Sequence, residues 1–338
     1  MRATITKSFW IVAALSFVLT ALLSGPQAGQ VPESAALSPD DKLGLTELFR
    51  LKKERGDRVW PGFTAADIPL ILFNDSHDFL VGAANPPPPW EVVEKDDFEG
   101  KPYFRRAHDK DLQAFALGYG RHWAGSLATI EFMNSGQSSL KISPDFWVVL
   151  ALHEMFHAFQ ADLAPERFRE ALAVYAFDDR YPYKDKEFAA AWNAEGAALA
   201  QALGAPDGAG AGQSAREFQR LRQERRKKAG FSPDLLAFER ELEWLEGLAK
   251  YAEISFYESA AAAGGQESAP VRFKPRFFIF QMDFVRLEKN LGGQDGDLRF
   301  YLSGMAQARL LDRLKPDWKS KVRIADLALE EFLKTALR

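Results

Sequence analysis

The chain has 338 residues, 47% apolar and 27% charged, with a formal net charge of −4 and no cysteine. That balance suits a globular protein with ample core and offers no electrostatic footprint for nucleic acid. The missing cysteine excludes disulfides, a thiolate nucleophile, sulfur-ligated zinc and a lipoprotein anchor.

The first residues read as an export signal, expected over 1–28. Arg2 and Lys7 make a positive start, 9–23 is apolar apart from Ser16 and Thr20, and Ser24-Gly25-Pro26-Gln27-Ala28-Gly29 offers small residues for cleavage. An apolar run of about fifteen residues is short for a membrane anchor. An exported product, secreted or periplasmic, is the expectation. Nothing later is long and apolar enough to span a bilayer.

Residues 31–142 are expected to form an N-terminal α/β lobe. A helical pattern over 42–52 precedes strand-like runs at 69–73 and 78–81, and the four prolines at 86–89 make a stiff extended loop. The runs 112–119 and 123–132 read as two further strands joined by a tight turn at Gly120-Arg121. Together they predict a small, mostly antiparallel sheet of about four strands. Gly125, Ser126 and Ala128 leave the last strand lightly covered, as an edge strand taking up an extended peptide would need. An ordinary internal strand is the alternative on sequence alone.

From Ser143 the pattern is mainly helical, and 143–338 is expected to be a helical lobe. Helices are predicted over 143–163, 165–175, 185–203, 213–229, 233–262, 272–291, 297–314 and 322–337. Gly- and Ala-rich breaks fall at 204–212 and 262–270. A basic stretch over 222–228, interrupted by Glu224, reads as a solvated helix face. The class is therefore α+β, with a candidate site in the cleft between sheet and helices.

That site starts from His153-Glu154-Met155-Phe156-His157. Residues four apart share a helix face, so both imidazoles can reach one metal ion. Glu154 then lies within reach of a water on that ion and can take its proton. Ser143-Pro144-Asp145 supplies an N-cap, a proline at the first helical position and an acidic first turn. Phe146-Trp147-Val148-Val149-Leu150-Ala151-Leu152 buries the helix, where two histidines and a glutamate are costly unless paired or bound to a metal.

A catalytic zinc site has three protein ligands and an open position. The other histidines, His77, His108 and His122, all precede the motif, so a carboxylate on a later helix is expected as third ligand. Glu246 and Glu195 are both candidates, and each is followed by a glycine that lets its helix approach a neighbour closely. Glu246 is preferred because Glu253, seven residues on, shares its face and can hydrogen-bond a metal-bound imidazole.

Glu246-Gly247-Leu248-Ala249-Lys250-Tyr251-Ala252-Glu253 resembles the N-E-G-F-A-x-Y-x-E segment of aminopeptidase N-type gluzincins, and Tyr301-Leu302-Ser303-Gly304 resembles that family's Y-x-K-G segment. The resemblance implies a zincin-like fold with Zn2+ on His153, His157 and Glu246. It also implies Glu253 behind a zinc histidine and Tyr301 as a donor to the oxyanion. The family's third ligand follows its H-E-x-x-H more closely than Glu246 follows His157, so 165–230 would be an inserted helical segment. The family's G-x-M-E-N strand has no close match here.

The implied activity is hydrolysis of a peptide or protein substrate, with Glu154 as general base. Two alternatives remain at this stage: a non-catalytic exported binding or scaffold protein, and a zinc hydrolase of non-peptide amides or esters.

Overall fold

A computed structural model describes residues 35–135, 141–262, 271–273 and 278–338. The expected export segment, and the 262–270 break apart from Ala262, lie outside the described residues.

Helix α1 (Pro39–Val59) begins in a capping box. Ser38 Oγ accepts from the Asp41 backbone N–H at 3.1 Å, and the Asp41 carboxylate accepts from the Ser38 N–H at 3.2 Å. Six strands follow: β1 (Leu70–Phe73), β2 (His77–Val81), β3 (Glu91–Val92), β4 (Phe104–Ala107), β5 (Phe115–Tyr119) and β6 (His122–Ala128). They form one mixed sheet in the order β3-β4-β2-β1-β6-β5. The β1–β6 pair is parallel, with Leu70 opposite Gly125, and the other pairs are antiparallel. The sequence reading lacked β3 and β4, which are too short and too charged to show an alternating pattern.

Two details of the predicted sheet need correction. The strand expected over 123–132 stops at Ala128, and the chain turns at once into helix α2 (Ile130–Ser135), whose first N–H is held by the Asp41 carboxylate at 2.7 Å. That strand is also internal. It lies between β1 and β5, so β5 is the edge. The close approach for which Gly125 is needed is to a helix: a Cβ there would sit 2.9 Å from the Met155 nitrogen and 3.0 Å from the Glu154 carbonyl carbon.

The helical part comprises α3 (Pro144–Leu163), α4 (Pro165–Ala173), a 3-10 turn (Val174–Arg180), α5 (Lys186–Gly204), α6 (Gly208–Lys228), α7 (Pro233–Leu242), a π turn (Glu243–Gly247), α8 (Leu248–Ala262), α9 (Phe278–Lys289), α10 (Leu298–Leu314), α11 (Trp318–Lys321), a second 3-10 turn (Ile324–Asp326) and α12 (Leu329–Ala336). The predicted break at 204–212 shrinks to three residues. Asp207 caps α6 by accepting from Gly210 N–H at 2.8 Å, and burial of Ala211 and Gly212 outweighs the poor helix propensity of glycine. No helix among the described residues is long and apolar enough to cross a membrane.

Helix α3 is the axis of the molecule. Its apolar sequence is buried from Asp145 to Ala161, between β5 and β6 on one side and α1 and α8 on the other. Trp147 Nε1 donates to the Ala128 carbonyl at 2.9 Å, pinning the helix to the end of β6. The two segments expected as lobes share one hydrophobic core. Trp60, just after α1, packs edge-on against Trp318 of α11 at 5.3 Å.

Candidate metal centre

His153 and His157 lie one turn apart on α3, with their Nε2 atoms 3.1 Å apart. Glu246 comes from the π turn, its Oε2 being 3.2 Å from His157 Nε2 and 3.8 Å from His153 Nε2. All three side chains are buried, and one atom from each lies within 4.8 Å of the others, so the group could hold a metal ion. The sequence predicts an uninterrupted helix over 233–262. The helical path does run unbroken from Pro233 to Ala262, but with a π turn at Glu243–Gly247 that carries Glu246, a device common at functional sites. Gly247 packs against Gly304 of α10, where a Cβ would come within 2.5 Å of the Gly304 Cα. That contact brings Tyr301 and Glu246 together.

The hydrogen bonds behind the imidazoles fix what points inward. His153 Nδ1–H donates to Glu253 Oε2 at 3.1 Å, and Glu253 is itself paired with Lys250 at 2.8 Å. His157 Nδ1 faces Gln160 Oε1 at 3.1 Å, while Gln160 Nε2 donates to the Trp244 carbonyl at 2.8 Å. Each Nδ1 therefore carries a proton, which turns both Nε2 atoms toward the same point as Glu246 Oε2. That carboxylate oxygen has no hydrogen-bond partner among the described residues. Two imidazole nitrogens and a carboxylate oxygen converging in one buried site suit a cation that displaces the proton His153 holds there.

The charges agree with this reading. Burial alone would lower His153, but Glu246 and Glu253 outweigh it and push the imidazole up to about 9. Burial lowers His157 despite Glu246. Burial would raise Glu246, yet the two imidazoles draw it well below the usual carboxylate range. Without a metal, one proton on His153 supplies the positive charge that Glu246 faces.

Glu154 is buried beside this cluster, and its Oε2 has no hydrogen-bond partner among the described residues. Burial pushes its carboxyl up to about 8, with His153 opposing and Glu246 and Glu253 adding. Tyr301 stacks on the His153 ring at 5.9 Å and 13°, with its hydroxyl at Glu246. Tyr175, from the 3-10 turn after α4, donates to Asp297 Oδ2 at 2.8 Å and lies 3.3 Å from Glu246 Oε1. Burial, then nearby carboxylates, hold both phenols well above their ordinary value, so both stay protonated. Phe115, the first residue of β5, is half-buried with its ring 4.7 Å from that of His157.

Six residues singled out in the sequence thus come together: His153, Glu154, His157, Glu246, Glu253 and Tyr301. Glu195 does not join them. Its carboxylate is taken by Arg222 Nε at 3.0 Å and Arg225 Nε at 2.5 Å, inside a buried cluster that also holds Glu239, Glu243 and Glu330. The stretch over 222–228 is correspondingly not a solvated face, since Arg222, Arg225 and Arg226 are buried in that cluster. The cluster reaches the metal centre indirectly. Glu243, in the π turn, is gripped by Arg222 at 2.6 Å and by Ser303 Oγ at 2.5 Å.

Sequence reasoning missed Gln160, Tyr175, Lys250 and Asp297. Gln160 carried a usable signal, being three residues after His157 and so on its face. Asp297 stands at the N-cap of α10 but makes no capping bond, because its carboxylate is turned to Tyr175 instead. No family model matches this chain, and no curated protein or solved structure matches it either.

Proposed function

We propose that this chain is an exported zinc metallohydrolase that cleaves peptide bonds. The observation that carries the proposal is the convergence of two imidazole Nε2 atoms and a carboxylate oxygen in one buried site, with Glu154, whose Oε2 has no hydrogen-bond partner among the described residues, beside them. Two imidazoles, one carboxylate and no sulfur form a donor set that zinc takes in hydrolases. When bound, such an ion lowers the pKa of a water and polarises a carbonyl.

The side chains divide the remaining work. Glu154 takes the proton of the attacking water and hands it to the leaving amine. Tyr301, held protonated, is the donor for the charge that develops on the carbonyl oxygen. Glu253 and Gln160 hold the two imidazoles in place from behind. β5, an edge strand of the sheet among the described residues, starts at Phe115 beside His157 and would offer main-chain hydrogen bonds to an extended peptide. The resemblance of residues 246–253 and 301–304 to aminopeptidase N-type gluzincins supports the same reading, and the apolar run over 9–23 supports export.

The test is Glu154→Gln, with zinc content and peptide hydrolysis measured side by side. The variant should keep about one zinc per chain and lose about 10²–10⁴-fold in turnover. A Glu154→Gln protein as active as the wild type, or a wild type that takes up no divalent ion, refutes the proposal.

A further inference from the structure

We infer that Gln160 is a positioning residue that fixes the tautomer of His157 and ties that histidine to the turn carrying Glu246. The inference rests on the reading of His153, His157 and Glu246 as a cation site. Gln160 is fully buried, so both ends of its amide must find partners within the protein. The Trp244 carbonyl can only accept, and it lies 2.8 Å from Gln160 Nε2. Turning the amide over would set two carbonyl oxygens against each other at that distance. The amide orientation is therefore forced, and Oε1 must face His157 Nδ1 at 3.1 Å. The His157 proton is then on Nδ1 and its Nε2 is bare.

The far end of this link is also fixed. Trp244 Nε1 donates to the Ile324 carbonyl at 2.9 Å, and the Arg167 guanidinium lies over its ring at 4.6 Å. Trp244 sits in the π turn two residues before Glu246. One amide thus joins a ligand on α3 to the turn that presents the third ligand. A carboxylate at 160 would accept from the imidazole but have nothing to donate to Trp244. An amide does both while adding no charge to a site that already holds Glu154, Glu246 and Glu253.

The experiment combines NMR of 15N-histidine-labelled full-length protein, metal-free, with zinc affinity measured by chelator competition for the wild type, Gln160→Met and Gln160→Glu. In the wild type the His157 proton should be on Nδ1. Gln160→Met, which fills the same space without hydrogen bonds, should mix the tautomers and weaken zinc binding by about 10–100-fold. Gln160→Glu keeps the acceptor and should retain the Nδ1–H tautomer, with a smaller loss of affinity. A wild-type His157 protonated on Nε2, or a Gln160→Met protein that keeps both tautomer and zinc affinity, overturns the inference. The wild-type spectrum decides even if a variant fails to fold. Absent peptide hydrolysis with the tautomer and zinc binding intact would sink only the peptidase proposal.

Discussion

Metal uptake by this chain should release protons, and the number and pH range follow from the site. In the metal-free chain His153 carries a proton where a cation would bind. Burial disfavours that charge, but Glu246 and Glu253 raise the imidazole from its ordinary 6.5 to about 9, roughly 3 kcal/mol at about 1.36 kcal/mol per pH unit. At pH 7 an incoming cation must displace that proton. Apparent affinity should therefore rise about tenfold per pH unit between about 7 and 9 and level off above. His157, lowered by burial, contributes no proton. Glu154, raised to about 8, releases a second if the dication ionises it. Calorimetry at pH 7 in buffers of different ionisation enthalpy should count about one to two protons per cation. Stability follows the same linkage. A group raised on folding contributes fully below its unfolded value, so the His153 contribution is complete below about 6.5 and is lost as pH rises through about 9. Zinc affinity that stays flat across this range, with no proton released, would show that His153 is not held between the two carboxylates.

Two further outcomes test the surroundings of the site. Gly247→Ala places a Cβ within 2.5 Å of the Gly304 Cα, where carbons ordinarily keep about 3.5–4.0 Å apart. The π turn and α10 must part by about 1 Å at a cost of about 1–3 kcal/mol, so melting temperature and zinc affinity should fall together; a lowered melt with unchanged affinity would separate Glu246 from that contact. Glu195→Gln leaves Arg222 and Arg225 short of a buried partner, which should destabilise the fold by about 3–5 kcal/mol while folded protein keeps its zinc. Loss of zinc from folded Glu195→Gln would make Glu195 a ligand after all.

How much of this was legible in the sequence depended on how local each signal is. The α3 helix and its two histidines are set within one continuous segment, and the predicted 143–163 matches Pro144–Leu163, although Ser143 at the N-cap makes no side-chain capping bond. Glu246 was preferred because a glycine follows it and an acid recurs seven residues on. Gly247 does meet a neighbouring helix, and Glu253 does reach His153. Glycine also follows Glu195, but Gly196 packs against the Leu287 carbonyl, and arginines from α6 claim the carboxylate. The glycine alone does not separate the two glutamates; the acid seven residues after Glu246 and the tertiary placement do. The basic stretch misled for a related reason. Arg222, Arg225 and Arg226 read as solvated until the four glutamates that surround them are assembled from α5, α7, the π turn and α12. The π turn itself has no sequence marker that a helical pattern would reveal.

The polar groups at the centre explain why so much structure converges on it. Glu154 Oε2 and Glu246 Oε2 are both buried, and neither has a hydrogen-bond partner among the described residues. Each such group costs on the order of 1–3 kcal/mol or more when left unmade, and charge makes it worse. Apolar packing around α3 and the arginine cluster behind Glu243 supply the rigidity that keeps these oxygens from finding other partners. Glycines at 125, 247 and 304 let β6, the π turn and α10 close to backbone contact. A chain that broke local rules at these positions for stability alone would gain by placing leucine or glutamine there. Breaking them at one point, around a buried His153, His157 and Glu246 group that could hold a metal ion, gives those costs a purpose under the proposed function.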